Sequence, residues 1–142
     1  MFSKSCEYGI RAAVYIASEA HEGHKVGIAE ICRHIEAPRH FTAKILQTLS
    51  RRNIISSQKG INGGFYLDDS QKKKSIKEIV EAIDGNGLFT GCGLGLKRCS
   101  ETKPCPIHKQ FKEIRRKLTE MMEGKDIGTL AIQLKKGRVV LM

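Results

Sequence analysis

Pro38-Arg39-His40-Phe41-Thr42-Ala43-Lys44-Ile45-Leu46-Gln47-Thr48-Leu49-Ser50-Arg51, followed by Ile54-Ile55-Ser56-Ser57, Gln58-Lys59-Gly60-Ile61-Asn62-Gly63 and Gly64-Phe65-Tyr66-Leu67, is the stretch that decides the fold. In its first block Phe41, Ile45, Leu46 and Leu49 share one side at helical spacing, while His40, Ala43, Lys44, Gln47 and Arg51 share the other. That predicts an amphipathic helix from Pro38 to about Arg51. Pro38 suits the first helical position, where its missing N–H costs nothing. The next two runs are strand-like and flank a turn bearing Gly60, Asn62 and Gly63, so they read as a hairpin with a basic tip.

Upstream, Ile28, Ile31, Cys32 and Ile35 stand at i, i+3, i+4 and i+7, the stripe of one short helix. Tyr8, Ala12, Ala13, Ile16 and Ala17 mark another, from Ser3 or Ser5 to Glu19, with a serine as N-cap. Two short helices across a tight turn and then a hairpin is the order of a winged helix-turn-helix, whose second helix enters the major groove and whose wing touches backbone or minor groove. Downstream, Ser75 caps a helix with Ile76, Ile79, Val80 and Ile83 inside, and Asp84-Gly85 ends it. Residues 85–105 have no periodicity. From about Pro106 to Glu123, Ile107, Phe111, Ile114, Leu118, Met121 and Met122 recur at alternating threes and fours, the pattern of a helix that needs a partner. The tail holds a short apolar, helix-like piece and then Val139-Val140-Leu141, which reads as strand or as loose chain. The fold class is mainly α with a small β-hairpin wing, a winged helix-turn-helix followed by a long C-terminal helix.

At 142 residues the chain has room for one hydrophobic core and a small appendage, and with 40% apolar and 28% charged residues it is a globular composition. No apolar run is long enough for a membrane span or a signal peptide, so the expected location is the cytoplasm. The net charge is +10, and residues 33–74 hold +6 of it, nine Lys/Arg against three acids. Such a concentration on the helix-turn-helix and hairpin points to a polyanion, double-stranded DNA first. His40, Lys44 and Gln47, beside the small Ala43, can reach base edges. Arg39, Arg51 and Lys59 suit phosphate or minor-groove contacts. The competing account of these side chains is the solvated face of an ordinary amphipathic helix. A phosphate-binding loop is not supported, because Gly60 and Gly63-Gly64 lie in no G-x-x-x-x-G-K-[ST] string.

Five cysteines without a secretion signal are expected as thiols. Cys6 and Cys32 sit in helical patterns and are expected to pack. Cys92, Cys99 and Cys105 with His108 form a different group, three thiolates and an imidazole in a glycine-rich loop that enters a helix. These donors suit a soft metal. Cys3His ligation fits structural zinc, whereas gaps of six and five residues suit something larger, such as an iron–sulfur cluster; from spacing alone the two stand level. A catalytic cysteine with His108 as base lacks any assignable oxyanion donor, so an enzyme is the least favoured class.

The sequence resembles the Rrf-type (IscR/NsrR-like) iron–sulfur winged-helix transcriptional regulators over nearly its whole length. The resemblance is carried by Ser3-Lys4-Ser5-Cys6-Glu7-Tyr8, by residues 49–57 leading into Gly60-Ile61-Asn62-Gly63-Gly64-Phe65-Tyr66-Leu67, and by the three-cysteine loop. It implies a homodimer paired through the C-terminal helices, with a cluster in the loop and operator affinity set by cluster state, sensing redox, nitric oxide or iron–sulfur status. Cys92, Cys99 and Cys105 then look like cluster thiolates. His108 takes the place of the histidine ligand of [2Fe-2S] members, the favoured cluster, and Glu7 stands where other members supply an acidic ligand, in one case to a [4Fe-4S] cluster. His40 and Lys59 match DNA-contacting positions, while Ala43 replaces a base-reading glutamate. The organisation expected is a DNA-binding winged helix-turn-helix over 1–84, a cluster-binding loop over 85–105, and a dimerisation helix with tail over 106–142. The alternative is a DNA-binding module with a structural zinc site and no redox sensing.

Overall fold

The computed structural model of the protein describes residues 1–21, 24–98 and 100–141. Helix α1 (Lys4–Glu19) is the hub. Ser3 caps it, its Oγ accepting the Cys6 N–H at 3.0 Å, and the Ser3 N–H donates to Asp84 Oδ2 at 3.0 Å. From Ala12 to Ser18 every residue of α1 is buried. Its small residues let neighbours close in: a Cβ on Gly9 would stand 2.3 Å from Ile83 Cδ1 and 3.2 Å from Ile45 Cγ2, so three helices meet there.

Helices α2 (Ile28–Ile35) and α3 (Arg39–Arg51) follow. Between them Glu36 takes a left-handed conformation (φ 52°), its N–H and that of Ala37 both closing on the Cys32 carbonyl. That is the tight turn of a helix-turn-helix. Pro38 is the N-cap of α3 and not its first helical residue. The inner face also differs from expectation at one position. Ile45, Leu46 and Leu49 are buried as the periodicity requires, but Thr42 is buried and Phe41 is 51% exposed. Both positions flank the apolar arc, and Thr42 can be enclosed because its hydroxyl donates to the Pro38 carbonyl at 2.9 Å.

Strands β1 (Ser56–Gln58) and β2 (Gly64–Tyr66) pair antiparallel with Gln58 opposite Gly64. Ile54 and Ile55, expected in the first strand, instead plug the core ahead of it. Val26 and Phe65 exchange N–H···O bonds of 2.9 and 2.8 Å, adding a third short rung. A Cβ on Gly64 would lie 2.8 Å from the Val26 carbonyl, so the close approach requires glycine.

Helix α4 (Asp69–Lys72) is one turn closed by an Asp68–Gln71 capping box, and α5 (Ile76–Asp84) is capped by a Ser75–Glu78 box. Helix α6 (Gly87–Thr90) is a single turn that buries Phe89. Neither α4 nor α6 is legible as a periodic pattern, because one turn has no period. Helix α7 (His108–Glu123) and helix α8 (Ile127–Lys135) complete the chain, and Val139 to Leu141 form no strand. Backbone bonds Ile76 N to Lys125 O and Ile127 N to Lys74 O join the starts of α5 and α8, and Ile127 and Ala131 enter the same core as Ile16. Among the described residues, no helix is long and apolar enough to cross a membrane.

Candidate nucleic-acid interface and cysteine loop

The outer surface of α3 is polar and open. Arg39, His40, Lys44, Gln47 and Arg51 are exposed, and Lys59 is exposed on the hairpin. Among the described residues no carboxylate pairs with Arg39, Lys44, Arg51 or Lys59. Gln47, Arg51 and Lys59 line one cleft of about 430 Å³ between α3 and the wing, whose wall includes Ser50 and Phe65. Two elements thus present one continuous basic surface.

The wing is held at a fixed angle to α3 by a residue the sequence reading did not single out. Gln71 is fully buried. Its Oε1 accepts from the Ser56 hydroxyl at 3.0 Å and from the Asp68 N–H at 2.9 Å, while its Nε2 donates to Asn53 Oδ1 at 3.1 Å. One amide therefore ties the end of α3, the start of β1 and the segment leaving β2. The signal available in the sequence was the Asp68-x-x-Gln71 spacing of a capping box. Hydrogen bonds from the Ser70 hydroxyl and the Gln71 N–H hold the Asp68 carboxyl below its usual range. Phe41, which periodicity places inside, is instead on the surface, its ring meeting His40 edge-on at 6.4 Å.

The cysteine loop follows later in the sequence, between α6 and α7. Cys92 Sγ stands 3.9 Å from Cys105 Sγ. The Cys92 thiol is pulled below its ordinary range by the backbone N–H groups of Leu94 and Leu96, with the Cys105 thiol and the Gly95 N–H adding to the effect. Such N–H donors stabilise a thiolate. The His108 N–H donates to the Cys105 carbonyl at 3.0 Å, which sets the imidazole on the first turn of α7, and its Nε2 lies 3.4 Å from Glu101 Oε1. Cys99 lies outside the described residues. The loop is pressed against α7: a Cβ on Gly93 would stand 2.8 Å from the Phe111 ring, and Arg115 donates to the Gly91 carbonyl. Glu7, on α1, pairs with Lys4 at 3.3 Å. Cys6 is fully buried, its thiol pushed up to about 12 by burial and then by the Asp84 charge and hydrogen bond, with Glu7 adding. Cys32 is half-buried.

Cys92 and Cys105 are paired as two metal ligands would be, while among the described residues no three His, Cys, Asp or Glu side chains converge as a metal site. Two thiolates at about 2.3 Å from one tetrahedral metal stand about 3.8 Å apart, close to the separation of Cys92 and Cys105. Helix α7 leaves Ile107, Ile114 and Met121 exposed at seven-residue intervals, with Phe111 and Leu118 half-buried between them. That is an uncovered heptad seam.

The family profile described as Rrf2, iron-dependent transcriptional regulator, matches residues 2–132. A chain of Aquifex aeolicus named among the HTH-type transcriptional regulators is 30% identical over 132 residues, covering 92% of this chain and 90% of that one. A rrf2-like HTH-type relative in Rhodobacter capsulatus is 28% identical over 124 residues, 80% of this chain and 81% of its own. The solved structures that share the fold include CymR (YrzC), the global cysteine regulator of B. subtilis, at TM-score 0.75 and 16% identity, covering 93% of this chain and 96% of its own, and T. potens IscR at TM-score 0.75 and 14% identity, covering 99% and 92%. The order of elements, the unpaired basic face and these likenesses agree, and the chain belongs to the Rrf2 family, which is one of DNA-binding transcriptional regulators and not of enzymes.

Proposed function

We propose that this regulator is a homodimer whose iron–sulfur cluster reports redox, nitric oxide or iron–sulfur status and modulates operator binding. Cys92, Cys99, Cys105 and His108 would hold a [2Fe-2S] cluster, with Glu7 as the alternative fourth ligand and [4Fe-4S] as the alternative cluster. The observation that carries this reading is the 3.9 Å approach of Cys92 and Cys105 in a loop braced on α7, with His108 following on the first turn of that helix. When bound, a cluster supplies one-electron redox chemistry and reactive iron–thiolate bonds.

The chain's own residues supply the rest. Backbone N–H groups favour the Cys92 thiolate. Gly93 against Phe111 and Arg115 on the Gly91 carbonyl make the loop's shape part of the position of α7. Lys77 on α5 pairs with Glu123 on α7 at 3.0 Å, and Ile83 of α5 and Ile45 of α3 both close on Gly9 of α1. These neighbouring contacts, loop to α7, α7 to α5 and α5 to α3, are the route by which a change in loop packing would reach the recognition helix. In a two-fold dimer joined through the α7 seam, two copies of α3 would address half-sites about one DNA turn apart. Arg39, His40, Lys44, Gln47, Arg51 and Lys59 would make the operator contacts.

The test is anaerobic purification with iron, sulfide and zinc analysis and visible absorption, alongside operator binding by loaded and metal-free protein. Iron and acid-labile sulfide with a coloured spectrum, altered by His108→Ala or by Glu7→Ala, identifies the cluster and its fourth ligand. The same sulfur separation also fits tetrahedral zinc, so a colourless protein with one zinc per chain selects the structural-zinc alternative. Equal operator affinity of the loaded and metal-free forms overturns sensing.

A further inference from the structure

The tip of the wing carries a side chain that folding does not explain. Ile61 is 104% exposed, as open as in an extended peptide, and is the most exposed large apolar residue among those described. The loop that presents it is narrow. The strands end at the Gln58–Gly64 pair, the Gly63 N–H donates to the Gly60 carbonyl at 3.0 Å, and Gly60 adopts φ 107°. A Cβ on Gly63 would lie 2.1 Å from the Gln58 carbonyl, so the loop closes backbone against backbone. Its base is fixed by the Val26–Phe65 rung and by buried Gln71.

The side chains on either side of Ile61 are chemically selective. Lys59 is exposed and has no carboxylate partner among the described residues, and Asn62 is exposed one position on. A cation and an amide flanking an apolar β-branched residue is the composition with which proteins enter the minor groove, the polar groups reading its floor and the apolar one prising a base step open. A rigid, anchored loop is needed for that, because a soft one would yield before the stacked bases do. The wing also shares a cleft with Gln47 and Arg51 of α3, so its tip continues the basic surface toward the flank of the site.

We propose that Ile61 is a minor-groove wedge, and that the wing bends operator DNA by partly unstacking a base step beside each half-site. The proposal rests on α3 and the wing being the operator-binding surface, and its test separates the two. Because Ile61 is fully exposed, Ile61→Ala leaves the fold intact, which an unchanged melting temperature verifies. Full-length protein is used to select duplexes from a random pool. Affinity, end-to-end distance by fluorescence transfer and salt dependence are then compared for wild type, Ile61→Ala, Ile61→Leu and Lys59→Ala.

The wild type is expected to shorten the end-to-end distance and to favour duplexes with a flexible TA step under the wing over the same duplex with an A-tract there. Ile61→Ala should lose most of the bend and that preference, weaken binding by about tenfold, and keep the salt slope, while Ile61→Leu restores all three. Lys59→Ala should reduce the salt slope by about one. A bend, step preference and affinity unchanged in Ile61→Ala overturn the wedge while leaving the operator surface standing, as does a wild type that binds with steep salt dependence but leaves the duplex straight. A wild type that selects no duplex overturns the operator surface and the wedge with it.

Discussion

In α3 the apolar residues Ile45, Leu46 and Leu49 are inside the core, and Arg39, Lys44 and Arg51 stand in solvent with no carboxylate beside them among the described residues. In α7 the apolar residues Ile114 and Met121 stand in solvent, while Arg116 is clamped between Glu113 and Glu120 and Lys112 meets Glu101 at 2.6 Å. Both helices are built from an apolar stripe and a row of cations. What differs is which half has been satisfied within one chain. Helix α3 has spent its apolar side on the fold and keeps its charge for a polyanion. Helix α7 pairs Lys112 and Arg116 with carboxylates and keeps an apolar seam, which suits a second copy of itself.

The comparison can be broken most decisively by salt. If the unpaired cations of α3 and the wing neutralise backbone phosphates, operator affinity should fall about a thousandfold or more between 50 and 200 mM salt, measured by fluorescence anisotropy. A flat profile would mean that the α3 charges are only a solvated surface. The next largest effect belongs to the seam. Ile114→Glu places a carboxylate at its centre and should convert a dimer to monomer in sedimentation analysis, with operator affinity falling about a hundredfold as the two half-sites lose their linkage. A variant that remained dimeric would move the interface elsewhere.

Smaller effects sharpen the contrast inside α3. Gln47→Ala should cost about 1–3 kcal/mol of binding and relax discrimination at one base pair, without changing the melting temperature. Thr42→Val should do the reverse, leaving binding intact and lowering stability by about 1 kcal/mol, because only a buried hydroxyl bonded to the Pro38 carbonyl is lost. The smallest change is expected in α7. Arg116→Ala removes an exposed, locally paired cation and should leave salt dependence and melting temperature within error.

Several of these assignments are legible in the sequence. Helices α1, α2 and α5 appear where periodicity and Ser3, Ser75 and Gly85 placed them, because caps and 3.6-residue stripes are short-range features. The hairpin was legible from its glycines and Asn62, although Ile54 and Ile55 left the strand for the core. Phe41 and Thr42 were not separable. Both border the apolar arc of α3, and the choice depends on where α1 and α2 close over it. The role of Gln71 was hidden for a related reason. A glutamine in a polar run reads as surface, and only the convergence of Asn53, Ser56 and Asp68 gives its amide enough partners to be buried.

The cysteine loop marks the same division. Its donors were plain in the composition of residues 92–108, and the charge excess over residues 33–74 was plain in the count, because chemistry and net charge are properties of residues wherever they lie. That Cys92 meets Cys105, that the loop rests on Phe111, and that Gln47, Arg51 and Lys59 share one cleft were decided by the tertiary structure alone. The loop's glycines impose no period, and closing thirteen residues on themselves, like joining α3 to the wing, depends on packing between elements that no local pattern encodes.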